Sequence, residues 1–270
     1  MPELPEVETS RRGIEPYLVD QRIARVQIRE RRLRWSVGRE VDEQLPGQTV
    51  TSVDRRAKYL LINTTGGTAI MHLGMSGSVF IVDHDTPAGI HDHVDIELES
   101  GHALRLRDPR RFGSLHWSDD PFNHWLLKDL GPEPLGNAFD GEYLWRRSRG
   151  RRVAVKQFIM NANIVVGVGN IYASESLFLA GINPKRAAGR IAPPRYEALV
   201  EAIRTVLEKS IRAGGTTLRD FYGGDGEAGY FGQELQVYDR ANKPCLRCDH
   251  SITAIVQGQR ATYYCKHCQT

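Results

Sequence analysis

The chain has 270 residues, 40% apolar and 26% charged, with a formal net charge of +3 and a pI of about 8.7. Those figures, with no repeat or low-complexity tract, exclude a disordered or fibrous protein and suit two domains of ordinary size. No apolar run reaches membrane-spanning length, and the N-terminus lacks the basic-then-apolar layout of a signal peptide, so a cytoplasmic setting is expected. Charge is unevenly spread. Arg22 to Arg34 carries six arginines against one glutamate, Arg146 to Lys156 carries six cations and no acid, and Asp83 to Glu99 is acidic apart from histidines. Basic stripes beside an acidic stretch suit a polyanion bound along one face, and equally suit solvated helix and strand surfaces.

The chain opens MPELPEVE. Proline and glutamate are favoured in the first turn of a helix, where the missing N–H costs nothing and carboxylates meet the positive dipole end. A helix over roughly residues 3–18 follows. With Met1 removed, Pro2 would also offer a free secondary amine; the stretch by itself favours the helix-start reading.

The chain then reads as β. HVDIELE alternates, with Val94, Ile96 and Leu98 on one face and His93, Asp95, Glu97 and Glu99 on the other. RIARVQI, KYLLINT, TAIMHL, SVFIV and ALRLR are similar runs between Gly, Asp and Pro turns, which predicts an antiparallel sandwich or barrel. A short helix is expected after Pro121, ending at Gly131-Pro132. GPEPLGNAFDGEY reads as a linker. Beyond it NIYASESLFLAG predicts a short helix capped by Asn170 and closed by Gly181. A longer helix starts after Pro193-Pro194, with Leu199, Ile203, Val206, Leu207 and Ile211 on one face. TTLRDFYGGDGEAGYFG is a glycine-loaded loop long enough to act as a lid.

CLRC and CKHC give the spacing C-x2-C-x16-C-x2-C. Each pair sets two thiolates on one knuckle, and the spacer suits a hairpin. Cys245, Cys248, Cys265 and Cys268 can therefore close a tetrahedral, purely structural zinc site. His250 and His267 lie nearby and are not needed as ligands. The hairpin turns at Gln257-Gly258-Gln259 and places Arg260 beside the tip, as a solvent-facing cation or as a phosphate clamp.

VVGVGN lacks the third glycine of a dinucleotide fingerprint, though glycines ahead of a helix let backbone N–H groups and Asn170 approach a phosphate. In IHDHVD, His91, His93 and Asp95 share one strand face with the spacing of some metallohydrolases. No further ligands stand out, so a polar face with one histidine meeting a phosphate is the preferred reading. DPRRFG joins Arg110 and Arg111 to Phe112, and HLGMSG sets Met75 in another turn. Arginine beside an apolar wedge suits backbone clamping and insertion into a base stack, while either motif alone also fits ordinary turn packing. Lys58 in RRAKYL is by itself only an exposed cation.

PELPEVE, RRAKYL, HLGMSG, HDHVD, DPRRFG, VVGVGNIYASESLF, GGTT and the cysteine knuckles occur together and in order. The combination closely resembles the bacterial formamidopyrimidine-DNA glycosylases, enzymes of 8-oxoguanine repair, from Pro2 to the last cysteine. The resemblance implies a bilobal α+β protein with DNA between its lobes. It has a helix plus antiparallel β-sandwich over 2–131, a linker over 132–150, and a helix–two-turn–helix domain over 151–235. That domain carries a lesion-capping loop at 216–230, and a four-cysteine zinc finger follows over 236–270.

Such enzymes flip the damaged nucleotide out of the duplex. The resemblance makes the Pro2 amine the nucleophile at C1′, Glu3 the general acid/base, and Glu6 a holder of water or sugar. It gives Lys58 and Arg260 phosphate contacts and proton-donor roles in β- and δ-elimination. Asn170, His91, Arg110 and Arg152 become DNA contacts, although many family members carry lysine where Arg152 stands. Met75, Arg110 and Phe112 become the residues that fill the space left by the flipped base. The implied cofactor is one structural Zn2+, with no redox or nucleotide cofactor. The implied partner is duplex DNA containing oxidised bases, bound by a monomer without a membrane. An endonuclease VIII-like glycosylase for oxidised pyrimidines is the alternative nearest in kind. A non-catalytic zinc DNA-binding protein and a metallohydrolase built on HDHVD are the others.

Overall fold

The computed structural model describes residues 2–215 and 234–270, and these divide into two compact units, 2–128 with 213–215, and 129–212 with 234–270. The expected lesion-capping loop, 216–230, lies outside the described residues.

The first unit begins with α1 (Leu4–Leu18), for which Glu3 is the N-cap and proline occupies the first turn. Leu4, Val7, Ile14 and Leu18 form its buried stripe. β1 (Ile23–Ile28), α2 (Arg39–Gln44), β2 (Val50–Arg56), β3 (Tyr59–Thr64), β4 (Thr68–His72), β5 (Ser78–Asp83), β6 (Asp92–Leu98), β7 (His102–Arg107) and β8 (Ser114–Ser118) follow. They make two antiparallel four-stranded sheets, ordered β1-β6-β7-β5 and β2-β3-β4-β8. Val53, Leu60, Ile62 and Met71 from one sheet share a continuous core with Val79, Val94, Ile96 and Leu106 from the other and with Val7, Ile14 and Leu18 of α1. This is the expected helix on a β-sandwich.

Two local expectations fail. The alternation of β6 does not divide core from solvent, because all seven of its residues are buried. Arg105 and Arg29 cover Asp95, Arg107 and Arg105 cover Asp92, and Arg25 covers Glu97. The arginine stripe at 22–34 is accordingly largely ion-paired, though its arginines stay at the surface. After Pro121 there is only a 3-10 turn, Pro121–Asn123, whose cap Asp120 accepts from the Asn123 N–H at 3.3 Å. His124 then adopts an extended conformation that stops any helix.

In the second unit the stretch expected as linker contains α3 (Gly141–Ser148), capped by Asp140, which accepts from the Tyr143 N–H at 2.7 Å. It is followed by α4 (Val155–Ile159), α5 (Asn170–Leu179), α6 (Pro193–Arg212) and the hairpin β9 (Thr253–Gln257) and β10 (Arg260–Tyr264). Gly169, not Asn170, is the N-cap of α5, so Asn170 is its first helical residue. Gly181 closes the segment in the left-handed region. Leu199, Ile203, Val206 and Leu207 of α6 are buried as the spacing predicts. Among the described residues no helix is long and apolar enough to cross a membrane.

Candidate active site and nucleic-acid interface

The N-terminus of α1 is sealed into the first unit. Pro2 is buried, and Glu3 and Glu6 expose only 2% and 3% of their surface. The Glu3 N–H donates to the Glu6 carboxylate at 2.8 Å, as Glu three residues on from an N-cap does. Gly215 passes directly over Glu6: a Cβ there would sit 3.3 Å from its side chain, and the backbone (φ 83°) already demands glycine.

Two residues beyond Glu6, Glu8 is a clamp. It accepts from Arg11 and Arg12 on the same helix and from Arg55 on β2, whose other guanidinium nitrogen donates to the Ala57 carbonyl. Burial pushes the Glu8 carboxyl up, but the Arg11 and Arg12 hydrogen bonds and the Arg11 and Arg55 charges outweigh it and leave it below the usual range. This clamp fixes the start of α1 relative to the β2–β3 turn, which carries Lys58 immediately after the left-handed Ala57 (φ 56°).

Sequence reasoning missed two neighbours of Lys58. Tyr59 pairs with His72 across β3 and β4, their ring centroids 4.9 Å apart. Burial and the charges of Lys58 and Arg34 depress His72 to about 4, so it is neutral at pH 7. The Gly74 N–H donates to its Nδ1 at 3.0 Å. Lys58, Arg34 and neutral His72 thus form one cation-rich cluster. Its sequence signal was slight, since Arg34 lies in a stripe whose other members are largely ion-paired.

Met75, His91, Arg110 and Phe112 lie on three loops, and the buried Asp108 joins all three. Its carboxylate accepts from the Gly113 N–H at 2.7 Å and from the Ser76 hydroxyl at 3.2 Å. Its own N–H donates to the His91 carbonyl at 2.9 Å, and its carbonyl lies 2.9 Å from His93 Nε2. The Met75 and Phe112 loops also touch backbone to backbone. A Cβ on Gly74 (φ 66°) would fall 2.3–2.5 Å from the Phe112 carbonyl group and Gly113 N. His91, Arg110 and Phe112 remain exposed, and the Arg110 guanidinium lies 5.0 Å from the centre of the Phe112 ring. His91 borders an open cavity of about 530 Å³ that Arg29, His93, Pro109 and Arg111 also line.

The metallohydrolase reading of HDHVD fails on the same geometry. Asp95 accepts two hydrogen bonds from Arg105 and one from Arg29, and Asp92 accepts two from Arg107. These carboxylates are counter-ions, and His93 serves the Asp108 carbonyl.

The second unit assembles a separate group. Arg152 is exposed ahead of α4. Lys156, one of the six cations counted above, is only 1% exposed. Its Nζ donates to Asn170 Oδ1 (2.7 Å), the Ala261 carbonyl (3.0 Å) and Thr262 Oγ1 (2.8 Å). Asn170 in turn donates to the Ala261 carbonyl at 3.0 Å. These bonds strap β10 to the start of α5 and hold the exposed Arg260 at the hairpin tip. Gln257 adds a bond to the Pro184 carbonyl at 3.2 Å.

At the base of the hairpin the four cysteine sulfurs converge without any disulfide. Cys245 and Cys268 sulfurs are 3.9 Å apart and those of Cys248 and Cys265 3.5 Å. A tetrahedron with Zn–S bonds of about 2.3 Å requires edges of about 3.8 Å, so the cluster fits zinc.

A helix-bearing β-sandwich with a buried N-terminal Pro-Glu, followed by a helical unit and a cysteine finger, defines a class of DNA-repair protein. The chain matches the formamidopyrimidine-DNA glycosylase N-terminal domain over residues 1–115 and its H2TH domain over 130–222. The zinc finger found in FPG and IleRS matches over 242–270. It is 60% identical to the formamidopyrimidine-DNA glycosylase of Stutzerimonas stutzeri and 59% to that of Pseudomonas putida, over the full length of each chain. Among solved structures it resembles the Lactococcus lactis enzyme in complex with abasic-site DNA (TM-score 0.91, 32% identity, 99% of each chain). It also resembles the Thermus thermophilus enzyme (TM-score 0.89, 34% identity, 99% of this chain and 98% of that one). The chain belongs to the formamidopyrimidine-DNA glycosylase family.

Proposed function

We infer that this protein excises oxidised purines, 8-oxoguanine and formamidopyrimidines, from duplex DNA and then nicks the resulting abasic site. The observation that carries the reading is the buried Pro2-Glu3-Glu6 start of α1, which puts the chain's amine beside two enclosed carboxylates. An α-amine has a pKa near 8, so a useful fraction is neutral at pH 7 once Met1 is removed. The nitrogen lone pair of Pro2 forms a bond to C1′ and the glycosidic bond breaks, releasing the base. Glu3 protonates the sugar oxygen as the ring opens, and the secondary amine gives an iminium directly. That electron sink acidifies C2′. Loss of its proton expels the 3′ phosphate, and a second elimination expels the 5′ phosphate.

In this reading Lys58, with Arg34 and His72 beside it, grips phosphate near the lesion and supplies a proton in β-elimination. Arg260 has the corresponding role in δ-elimination. Asn170 positions that hairpin, while Arg152 and His91 contact the backbone. Met75, Arg110 and Phe112 occupy the space left by the flipped nucleotide, and Asp108 keeps their loops in register. Zinc, held by Cys245, Cys248, Cys265 and Cys268, fixes the finger; with four thiolates bound it has no open position for a reacting group. An enzyme of this kind works on chromosomal DNA in the bacterial cytoplasm. The oxidised-pyrimidine alternative is not favoured, since the curated relatives are formamidopyrimidine-DNA glycosylases throughout their length.

Borohydride trapping on a duplex carrying 8-oxoguanine opposite cytosine, followed by mass mapping, tests the mechanism. A covalent adduct on Pro2 is expected, and none when Met1 is retained. No adduct from a protein that lacks Met1 and binds the duplex would overturn it.

A further inference from the structure

Arginines are placed differently in the two units. Most in the first unit face a carboxylate, among them Arg25, Arg31, Arg55 and Arg107. Among the described residues of the second unit only Arg146 does, with Glu142. Arg186 and Arg190, both exposed, have no ion-pair partner among the described residues; they follow α5 in a segment that runs beside the start of α4. The Val155 N–H donates to the Arg186 carbonyl at 2.8 Å, and the Ala188 and Gly189 N–H groups donate to the Val153 and Arg151 carbonyls at 2.9 Å. A Cβ on Gly189 would fall 2.8 Å from that Arg151 oxygen, so the two segments touch backbone to backbone. Arg149 fixes one end of the strip, its guanidinium donating to the Trp145 and Ile191 carbonyls, each at 3.1 Å. At the other end the Lys156 N–H donates to the Pro184 carbonyl at 3.4 Å, and the exposed Arg152 lies between. Like charges are thus gathered on one scaffold. Burial, and then the charge of Arg186, leave Arg195 below the usual arginine range.

We propose that Arg186 and Arg190 bind two phosphates of the duplex flanking the lesion, extending the interface of the second unit beyond Arg152, Asn170 and Arg260. Uncompensated guanidinium groups held on one scaffold repel one another, and a row of phosphates turns that repulsion into attraction. The planar guanidinium also matches phosphate oxygens in shape. The strip is continuous with the contacts already described, because Lys156 bonds through its N–H to Pro184 and through Nζ to Asn170 and Thr262. Contacts of this kind fix position and carry no sequence information, so they hold undamaged duplex as firmly as damaged duplex. They serve the search for a lesion, not the chemistry on it. The choice of DNA as the polyanion rests on the glycosylase reading.

Fluorescence anisotropy of the zinc-loaded full chain on a long undamaged duplex, between about 50 and 200 mM salt, reads the number of phosphates neutralised. Each contact contributes about −0.9 to the slope of log K against log salt, so Arg186→Gln/Arg190→Gln should be shallower by about 1.8. Over that range the wild type should lose about tenfold more affinity than the variant. Arg186→Lys/Arg190→Lys, which keeps the charge, should restore the wild-type slope and separate lost charge from misfolding. Arg39→Gln, at an exposed arginine of the first unit, should leave the slope unchanged. On a duplex cut back to a few pairs around a stable abasic-site analogue, wild type and the glutamine variant should bind alike. An unchanged slope in the glutamine variant would overturn the proposal. So would an equal change in Arg39→Gln, or a difference that survives on the short duplex. Failure of the glycosylase reading shows elsewhere, as a wild type that prefers neither abasic nor 8-oxoguanine duplex to undamaged duplex.

Discussion

Strand β6 and the β9–β10 hairpin both carry polar side chains, yet they are held in opposite ways. β6 lies between β1 and β7, and four arginines from β1, β7 and the residue just beyond β1 neutralise its inward acids. The hairpin has only two strands, and Val256 on it is 80% exposed. An isolated two-stranded hairpin is marginal in water, so this one depends on a few points: the cysteine cluster at its base and Lys156 along its flank. Distributed support tolerates damage. Point support does not.

Removing the zinc should produce the largest effect and break the comparison open. Chelation is expected to abolish hydrogen-exchange protection across 242–270 and with it DNA binding, while amides of the sandwich strands keep theirs. Exchange rates measured before and after chelation check this, and equal loss in both regions would refute point support. Lys156→Met comes next, because it removes the donor to three acceptors around a buried site, of which the Ala261 carbonyl keeps Asn170. About 4 kcal/mol of local stability should be lost, read as a lower urea midpoint and weaker binding to duplex DNA.

Asp95→Asn should cost less, about 3 kcal/mol in a urea titration, since Arg105 keeps Asp92 and the carbonyls of Thr86 and Pro87. The smallest effect is set by pH. His72 sits at about 4 in the folded chain against an ordinary 6.5. Above pH 6.5 both states are neutral and the group is silent. As pH falls from 6.5 towards 4 the unfolded chain takes up a proton that the folded chain refuses, so stability drops by about 2 kcal/mol at pH 5. His72→Asn should flatten that slope in unfolding measured between pH 7 and 5.

Much of the proposed site is legible in short motifs because the chemistry proposed for it needs adjacent residues: Pro2 beside Glu3, two thiolates on each knuckle, Arg110 beside Phe112. The supports are not legible. Asp95 and Glu97 look solvent-facing because their partners Arg29 and Arg25 come from some 70 positions earlier in the chain. Lys156 reads as one cation among six, and only the arrival of Ala261 and Thr262, more than 100 residues later, encloses it. Asp108 hides inside DPRRFG, where the arginines attract attention. Gly169 outranks Asn170 as a cap because the Asn170 side chain is occupied by Lys156 and the hairpin.

The contact between Gly74 and the Phe112 backbone also bears on how such a protein can change over time. Neither loop has slack to take an inserted atom without displacing the other, and both hang from the single carboxylate of Asp108. The segments 72–77 and 108–113 therefore behave as one heritable unit. A graft of either into a related scaffold succeeds only when the other, and the aspartate between them, travels with it.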